Sequence, residues 1–453
     1  MRPVLLSLAA LIAATPALAK PLDTAAIDRA ATEILKTTQV PSASIAVVQD
    51  GRIIYTHAYG MQAPGRPATT TARYPIASIS KQFTATAILM LADEGKLSLD
   101  DTVGKYLPGL TDADQITVRQ LLSHTSGYRD FWPQDFGFAA MAHPVQPMEI
   151  LDRWAKAPLD FKPGSQWQYS NTGYVAAGLI VEKVSGEPLM RFLSERVFQP
   201  LHMESAVDAD FGLTKSDASP HMRYALGPVR PERPAAPGWL YAAGQLAMNA
   251  PDLARWDIGM IDTKLLSSAG YKAQQTAVVL TDGKSSDYGL GVDVDSVDGH
   301  RRIKHGGEAV GFLSENRVYP DDKAAIVVLV SSDFGNAHTA IADRIEGQLF
   351  PQADKTARAR AVFDMLREGK IDRSRFTVNG NFYFTPTALG DYRASLAPLG
   401  QPTSFRQRSA KLRGGFTAES YTVSYPGRTL TVVLRAEPGA NGKIEQFTVY
   451  PAG

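Results

Sequence analysis

The chain lacks cysteine and has no surplus of either charge. Without cysteine it cannot form disulfides, carry a lipid on cysteine, or use a thiolate as nucleophile or metal ligand. Its 47 lysines and arginines almost balance its 46 aspartates and glutamates. No strong electrostatic field therefore favours nucleic acid or an anionic membrane as a partner. A small molecule or a peptide is the expected partner, and the sequence does not indicate an oligomeric state.

Long hydrophobic runs are also lacking, apart from one near the first residue. Val4 to Ala14 is apolar, Arg2 precedes it, and the small-residue sequence Ala17-Leu18-Ala19 follows it. This pattern predicts a signal peptide over residues 1–19, with cleavage after Ala19 and a periplasmic or secreted protein. The alternative, a membrane anchor, needs about 20 apolar residues, so no membrane span is expected in the mature chain.

Patterns typical of metal sites are missing as well. The sequence contains neither a His-x-x-x-His spacing nor a dense cluster of aspartate and glutamate. We therefore expect no metal and no cofactor.

The distribution of alternating and helical patterns predicts an α+β fold. Residues 43–58 alternate around Asp50-Gly51, whose positive φ angles suit a tight hairpin turn. Later segments predicted as strands are 288–297, 301–307, 316–320 and 324–332, followed by a helix at 337–349. The middle is mainly helical, with predicted helices at 82–94, 118–122 and 173–184. We expect a sheet built from both ends of the domain, with a helical region inserted between them.

The pattern breaks around residues 351–356, where we place a domain boundary. Beyond it, the predicted elements are helices at 357–367 and 387–396 and strands at 421–424, 430–435 and 444–450. The expected organisation is a main domain over residues 20–352 and a small accessory α+β domain over residues 357–453.

The sequence Ser78-Ile79-Ser80-Lys81 stands in the first turn of a predicted helix. On a helix, positions three apart share a face, so the Lys81 amine can approach the Ser78 hydroxyl and assist its deprotonation. For that role the lysine pKa, about 10.4 in water, has to fall through burial or neighbouring positive charge. The same spacing also arises by chance, as a capping serine followed by a solvated lysine.

Two further short motifs follow. Tyr169-Ser170-Asn171 precedes a predicted helix, where a phenol with a depressed pKa can carry a proton and an asparagine amide can hold a substrate carbonyl. His305-Gly306-Gly307 lies on a predicted strand, where paired glycines let an extended ligand approach the strand's backbone. Taken singly, the two motifs also have ordinary explanations, as a helix cap and as a glycine bulge beside a solvated histidine.

Together and in this order, the three motifs resemble those of the serine β-lactamase and penicillin-binding protein superfamily. The segments KQFTATAILMLADEGKLSLDDTVGKYLPGL, ITVRQLLSHTSGY and HGGEAVGFLSENRVYP are similar to its class C-like branch. That branch includes β-lactamase-related serine hydrolases such as D-alanyl-D-alanine carboxypeptidases, D-aminopeptidases and family VIII esterases. The resemblance covers about residues 25–350. It implies a β-lactamase/transpeptidase-like domain, in which an antiparallel sheet with flanking helices faces a helical region.

The resemblance also implies roles for particular residues. Ser78 matches the acylated nucleophile, Lys81 the lysine that assists its deprotonation, and Tyr169 the general base and acid. The substrate-binding positions are matched by Asn171, His305 and Gly307. The oxyanion hole is matched by the backbone N–H groups of Ser78 and Glu308.

The third motif departs from the Lys-Thr-Gly of the best-known β-lactamases, whose lysine and threonine help to hold a carboxylate. A histidine here resembles the peptidase and aminopeptidase branches, which implies an ester or amide substrate hydrolysed through an acyl-enzyme. Two alternatives stay open, a β-lactamase and a non-catalytic binding or sensor protein for cell-wall fragments. Tyr128, Phe131 and Trp132, in the sequence LLSHTSGYRDFW, either line an apolar pocket or belong to the core.

Overall fold

The computed structural model describes residues 21–132, 139–351, 356–439 and 442–452. The segment 1–19, for which the sequence predicts a signal peptide, lies outside these residues. Two compact units are present, and the first of them ends at Pro351. Within the described ranges, no helix has both the length and the apolar character needed to cross a bilayer.

The first unit combines helices with strands from both ends of its sequence. Its helices are α1 (Thr24–Thr38), α2 (Ser80–Asp93), α3 (Val118–Leu122), α4 (Pro147–Ile150), α5 (Asn171–Ser185), α6 (Leu189–Leu193), α7 (Ala209–Gly212), α8 (Tyr241–Gly244), α9 (Ala250–Ile261), α10 (Ser268–Gln274) and α11 (Ala337–Leu349). Its strands are β1 (Ser42–Gln49), β2 (Arg52–Ala63), β3 (Arg66–Pro67), β4 (Tyr74–Pro75), β5 (Val207–Asp208), β6 (His221–Met222), β7 (Arg230–Pro231), β8 (Leu246–Met248), β9 (Asp293–Val297), β10 (His300–Ala309), β11 (Phe312–Tyr319) and β12 (Ala324–Val330).

A seven-stranded antiparallel sheet in the order β3-β2-β1-β12-β11-β10-β9 forms the centre of this unit. β1 and β2 make the predicted hairpin, and its turn has φ angles of 52° at Asp50 and 71° at Gly51. β1 also pairs with β12, so that Ala43 lies opposite Val330. The sheet therefore joins the two ends of the unit, as the sequence predicts.

Side chains of β1 alternate between two hydrophobic cores, one on each face of the sheet. Ile45 and Val47 pack in the core that includes α1 and α11. Ala46 and Val48 pack in the core shared with the helical region, which includes α2, α5 and α9. Because both faces are covered, the strand has a nearly continuous apolar sequence.

α2 is the most deeply buried helix of the helical region. All its side chains from Ser80 to Leu91 are buried, and Phe83 stacks on Trp256 of α9 with ring centroids 4.1 Å apart. A helix that is buried on every side is held by its surroundings rather than by one apolar face. Its position is therefore fixed on all sides, which suits a helix that carries reactive groups.

The second unit packs helices against its own antiparallel sheet. Its elements are α12 (Ala357–Arg367), α13 (Val378–Tyr383), α14 (Pro386–Leu396), β13 (Ser404–Arg413), β14 (Phe416–Tyr425), β15 (Arg428–Ala436) and β16 (Ile444–Pro451). The strands lie in the order β13-β14-β15-β16. Phe363, Tyr421 and Phe447 belong to a hydrophobic core within this unit. The second unit thus has a hydrophobic core of its own.

The predicted α+β class is confirmed, together with the C-terminal sheet. The strand predicted over 288–297 is wrong in its first half, because β9 begins only at Asp293. Gly291, just before it, has φ of 82° and lies against the Lys81 backbone instead of extending the strand. β13 was not predicted, because its sequence SFRQRSAKLR is polar and largely exposed and gives no apolar alternation.

Candidate active site

Ser78 lies in a tight turn immediately before α2. It is the middle residue of a 3-10 turn, Ala77–Ile79, and α2 begins only at Ser80. The prediction that Ser78 stands inside the first turn of the α-helix is therefore wrong. Ala77 has φ of 49°, a left-handed conformation that is uncommon for alanine. The Ser80 hydroxyl accepts a hydrogen bond of 3.1 Å from the Leu246 N–H and ties the turn to β8.

Lys81 is completely buried beside this turn. Its Nζ lies 3.0 Å from Ser78 Oγ, 2.7 Å from Asn171 Oδ1 and 2.7 Å from the Ala243 carbonyl oxygen. Burial lowers the Lys81 pKa to about 7, and the negative charge of Asp130 opposes part of the shift. A substantial fraction of Lys81 is therefore neutral at pH 7, which is the condition set for this lysine as a base.

Tyr169 approaches the same amine from the segment that precedes α5. Its ring centroid lies 4.8 Å from Lys81 Nζ, and its ring packs on the imidazole of His124 with centroids 4.3 Å apart. Burial raises the Tyr169 pKa, and hydrogen bonding with Ser78 offsets part of the rise. The depressed tyrosine pKa considered for this motif is therefore not found, and the phenol is protonated at neutral pH.

Asn171, the first residue of α5, connects Lys81 to a carboxylate outside the three motifs. Its Oδ1 accepts a hydrogen bond from Lys81, and its Nδ2 donates to Asp130 Oδ2 at 3.1 Å. The backbone N–H groups of Asn171 and Trp132 donate to Asp130 Oδ1 at 3.0 and 3.1 Å. Each polar atom of the Asn171 side chain thus makes one hydrogen bond within the protein, although the oxygen can accept two and the NH2 group can donate two.

His305 lies on β10 and is uncharged. Its Nε2 is 2.9 Å from the Tyr288 hydroxyl, and its Nδ1 contacts the Gly306 carbonyl oxygen. Because a carbonyl only accepts, we assign the proton to Nδ1, and the Tyr288 hydroxyl then donates to Nε2. Burial, reinforced by the charge of Lys81, lowers the His305 pKa to about 3. The third motif therefore supplies no positive charge for a substrate carboxylate.

β9 pairs with one edge of β10 only as far as Lys304, which lies opposite Asp293. Beyond it, His305, Gly306 and Gly307 of β10 line the cleft. An extended ligand can form main-chain hydrogen bonds with such an edge.

Gly307 allows this part of β10 to approach the turn of Ser78. A Cβ at this position would lie 2.1 Å from Ser314 Oγ and 2.2 Å from the Ile76 carbonyl oxygen, so only glycine fits. Ile76 and Ser78 belong to one turn, and Glu308 follows Gly307 on the strand. The close contact brings together the two segments that carry the N–H groups of the predicted oxyanion hole.

A single cleft of about 680 Å³ contains the predicted site residues. Those that line it are Ser78, Tyr169, Asn171, His305, Gly307 and Glu308, whereas Lys81 lies buried behind the lining. An apolar arm of the cleft is formed by Phe131, Trp132, Met141 and Trp239. Of the three aromatic residues considered from the sequence, Phe131 and Trp132 line the cleft and Tyr128 does not. Tyr128 and Phe131 both belong to the hydrophobic core, so Phe131 has both of the roles that the sequence left open.

Comparison with known proteins identifies the family of the first unit. Residues 27–349 match the Beta-lactamase family. The chain belongs to this family. Penicillin-binding protein 4* of Bacillus subtilis (strain 168) is 27% identical over 407 residues, which are 83% of this chain and 89% of that protein.

Two further relatives of this Beta-lactamase family member carry names of amide-cleaving enzymes. D-aminopeptidase of Brucella anthropi is 28% identical over 327 residues, 70% of this chain, and the alignment spans only 61% of that protein. The crystal structure of a D-stereospecific amidohydrolase from Streptomyces sp. superposes with a TM-score of 0.64 at 27% identity, over 73% of this chain and 100% of that one. The chain is therefore a serine hydrolase of the β-lactamase-related superfamily.

Two residues of the candidate active site, Asp130 and His124, lie outside the three motifs. His124 is fully buried, its Nδ1 accepts from the Ser170 N–H at 3.1 Å, and its ring supports Tyr169. Burial lowers its pKa well below the usual value. Both residues occur in LLSHTSGYRDFW, where titratable side chains interrupt an otherwise small and apolar sequence. Titratable residues in such a segment are candidates for a functional site, so His124 and Asp130 could have been identified from the sequence in this way.

Proposed function

We propose that the chain hydrolyses an ester or amide through an acyl-enzyme on Ser78. The observation that carries the proposal is the buried, partly neutral Lys81 amine 3.0 Å from the Ser78 hydroxyl. In the first step the Ser78 proton passes to Lys81 Nζ while Oγ forms a bond to the substrate carbonyl carbon. The carbonyl oxygen takes up the negative charge.

Collapse of this intermediate expels the leaving group. The bond between the carbonyl carbon and the leaving nitrogen or oxygen breaks, and Tyr169 donates a proton to that atom while Lys81 returns one to Tyr169. Water then attacks the acyl-enzyme, Ser78 regains its proton, and the acid is released. The Ser78 and Glu308 N–H groups stabilise the oxyanion in both halves of the reaction.

For the substrate we propose an amide or ester whose acyl part carries an apolar or aromatic side chain. The apolar arm formed by Phe131, Trp132, Met141 and Trp239 supports this choice. The neutral His305 argues against a carboxylate at that corner, which makes β-lactams and carboxypeptidase substrates less suitable. The names of two relatives, a D-aminopeptidase and a D-stereospecific amidohydrolase, favour D-phenylalaninamide over its L enantiomer.

Turnover of p-nitrophenyl esters, nitrocefin and the two phenylalaninamide enantiomers tests the proposal, with Ser78→Ala as the inactive control. A fluorophosphonate adduct located on Ser78 by mass spectrometry is expected in the native protein and absent in the variant. Full turnover by Ser78→Ala would refute the role of Ser78. Fast turnover of nitrocefin alone would favour a β-lactamase, and absence of both turnover and adduct would favour a binding or sensor protein.

We also propose that residues 1–19 direct export and that residues 357–453 form an accessory domain. The apolar run before Ala17-Leu18-Ala19 supports export, which N-terminal sequencing of protein from the periplasm and medium tests. A first residue at Lys20 is expected. The separate core of the second unit supports an accessory domain. Truncation after Phe350 should change the kinetics or the oligomeric mass, and unchanged values of both would remove the accessory role.

A further inference from the structure

Asp130 is a buried carboxylate whose hydrogen bonds converge on Asn171. Only 9% of Asp130 is exposed, and it lies on the wall of the cleft. Its Oδ1 accepts from the N–H groups of Asn171 and Trp132, and its Oδ2 accepts from Asn171 Nδ2. These bonds favour the ionised carboxylate, although burial raises the Asp130 pKa.

The carboxylate determines which way the Asn171 amide faces. An ionised carboxylate only accepts hydrogen bonds, so the NH2 group of Asn171 turns to Asp130 and its Oδ1 turns to Lys81. In the flipped orientation the amide NH2 would meet the Lys81 amine, and Oδ1 would meet the carboxylate. The contact between Oδ1 and the carboxylate is repulsive, and the NH2 group would compete with the Ser78 hydroxyl for the Lys81 lone pair. The carboxylate therefore selects one orientation.

That orientation decides how the Lys81 amine is used. A neutral amine has two N–H bonds and one lone pair. Asn171 Oδ1 and the Ala243 carbonyl can only accept, and each takes one N–H of the amine. The lone pair is left for the Ser78 hydroxyl, which has a proton to give.

We infer that Asp130 is a positioning residue, which holds the Asn171 amide so that the Lys81 lone pair faces Ser78. The inference rests on the proposed function, in which Lys81 is the base. Asp130 acts on Lys81 in two ways, by orienting its hydrogen-bond acceptor and by its negative charge.

The charge of Asp130 matters because the other groups around Lys81 are neutral. Burial lowers the pKa values of His124 and His305 and leaves both rings unprotonated. Burial raises the pKa values of Tyr169 and Tyr174, whose rings lie 4.8 and 5.5 Å from Nζ, so both stay protonated. The Asp130 carboxylate therefore favours the ammonium form of Lys81, and its removal lowers the Lys81 pKa further.

The first test is Asp130→Asn, assayed with p-nitrophenyl acetate between pH 5 and 9. The new NH2 group at position 130 should turn the Asn171 amide over, so that Lys81 loses an acceptor and meets a donor. We expect kcat/KM to fall at least about tenfold. The midpoint of the acid limb of the pH profile should move to lower pH, because a carboxylate has been removed from beside Lys81.

The second test exchanges the two side chains in Asp130→Asn/Asn171→Asp. The carboxylate at position 171 accepts both from the new amide and from Lys81, so the acceptor of Lys81 is restored and the variant keeps its hydrogen-bond pairs. We expect kcat/KM above that of Asp130→Asn and a midpoint shifted to higher pH than in the native protein. Opposite shifts in the two variants distinguish positioning from a general loss of structure. The exchange variant decides the matter where the single variant does not fold.

Asp252→Asn is the matched control. Asp252 is also buried, with 1% exposure, and accepts from the Ser205 N–H at 2.6 Å, but it does not line the cleft. This variant should lose stability to urea and keep the native pH midpoint. If Asp130→Asn or the exchange variant kept the native midpoint of the pH profile, the positioning role would be overturned. Fluorophosphonate labelling of Ser78 in the native protein would in that case still support the proposed function. Absence of native labelling would instead overturn the proposed function itself.

Discussion

Lys81 Nζ lies 3.0 Å from Ser78 Oγ in a position that no solvent reaches. Burial gives this lysine a pKa of about 7, and only its neutral form can take the Ser78 proton. The pKa is lowered in the folded chain, so the active form is lost as pH falls through about 7. We expect log kcat/KM for p-nitrophenyl acetate to rise with unit slope below this value and to level off above it. A flat profile between pH 5 and 8 would exclude Lys81 as the base.

Replacement of Tyr169 by phenylalanine separates proton donation from packing. The new phenylalanine ring can still pack on His124 and Lys81, as the tyrosine ring does, but no hydroxyl remains. An amide leaving group needs a proton, whereas p-nitrophenolate leaves without one. We expect the Tyr169→Phe variant to lose about a hundredfold or more in kcat/KM for D-phenylalaninamide and far less for p-nitrophenyl acetate. Equal losses on both substrates would contradict the role as proton donor.

Alanine at position 307 should disturb the fold next to the nucleophile. The added Cβ would lie 2.2 Å from the backbone oxygen of Ile76, so the turn before Ser78 has to move. We expect Gly307→Ala to lose about 1 to 3 kcal/mol of unfolding free energy in urea, together with most of the esterase rate. Gly306→Ala is the control, because its Cβ meets no atom closer than 3.7 Å. Equal stability of the two variants would show that the predicted clash is relieved at no cost.

His305 should make the protein less stable in acid. Its pKa is about 3 in the folded chain and 6.5 without the effects of burial, so between these values only the unfolded chain binds the proton. The free energy of unfolding therefore falls as pH decreases below 6.5, by about 1.4 kcal/mol per pH unit for one proton. His305→Gln removes this group, so urea unfolding between pH 4.5 and 7.5 should show a shallower slope than in the native chain. An unchanged slope would mean that His305 is already solvated and free to titrate.

Much of the fold follows from periodicity in the sequence. The boundaries of α11 and α12 agree with the predicted helices, because Ala337–Leu349 and Ala357–Arg367 have apolar residues at helical spacing and are bounded by breaks in the pattern. β13 escapes such analysis, because its partner strand β14 supplies its hydrogen bonds while its own side chains stay polar. Pairing of that kind depends on a distant segment, which local pattern does not contain.

The site could be predicted only where reactive residues occur in short motifs. Ser78, Tyr169 and His305 line one cleft and Lys81 lies behind its lining, but the protonation state of each group depends on burial, which the sequence does not specify. Burial brings the Lys81 pKa to about 7, but it raises the Tyr169 pKa, whereas the sequence motif suggested a lowered one. Asp130 was missed because its importance comes from two hydrogen bonds to a residue 41 positions away.

Because of the left-handed backbone at Ala77, the activity of Ser78 should depend on complete folding of the first unit. Alanine adopts φ of 49° only when surrounding structure requires it. Gly244 packs against Ala77, and Gly307 packs against Ile76, so segments from the middle and the end of the unit enclose the turn. A partly folded chain lacks these neighbours, and its turn can relax. Reaction of Ser78 with a fluorophosphonate should thus report complete folding. The extent of labelling should fall to zero in any folding intermediate in which the segment of Gly244 or that of Gly307 has not yet packed against the turn.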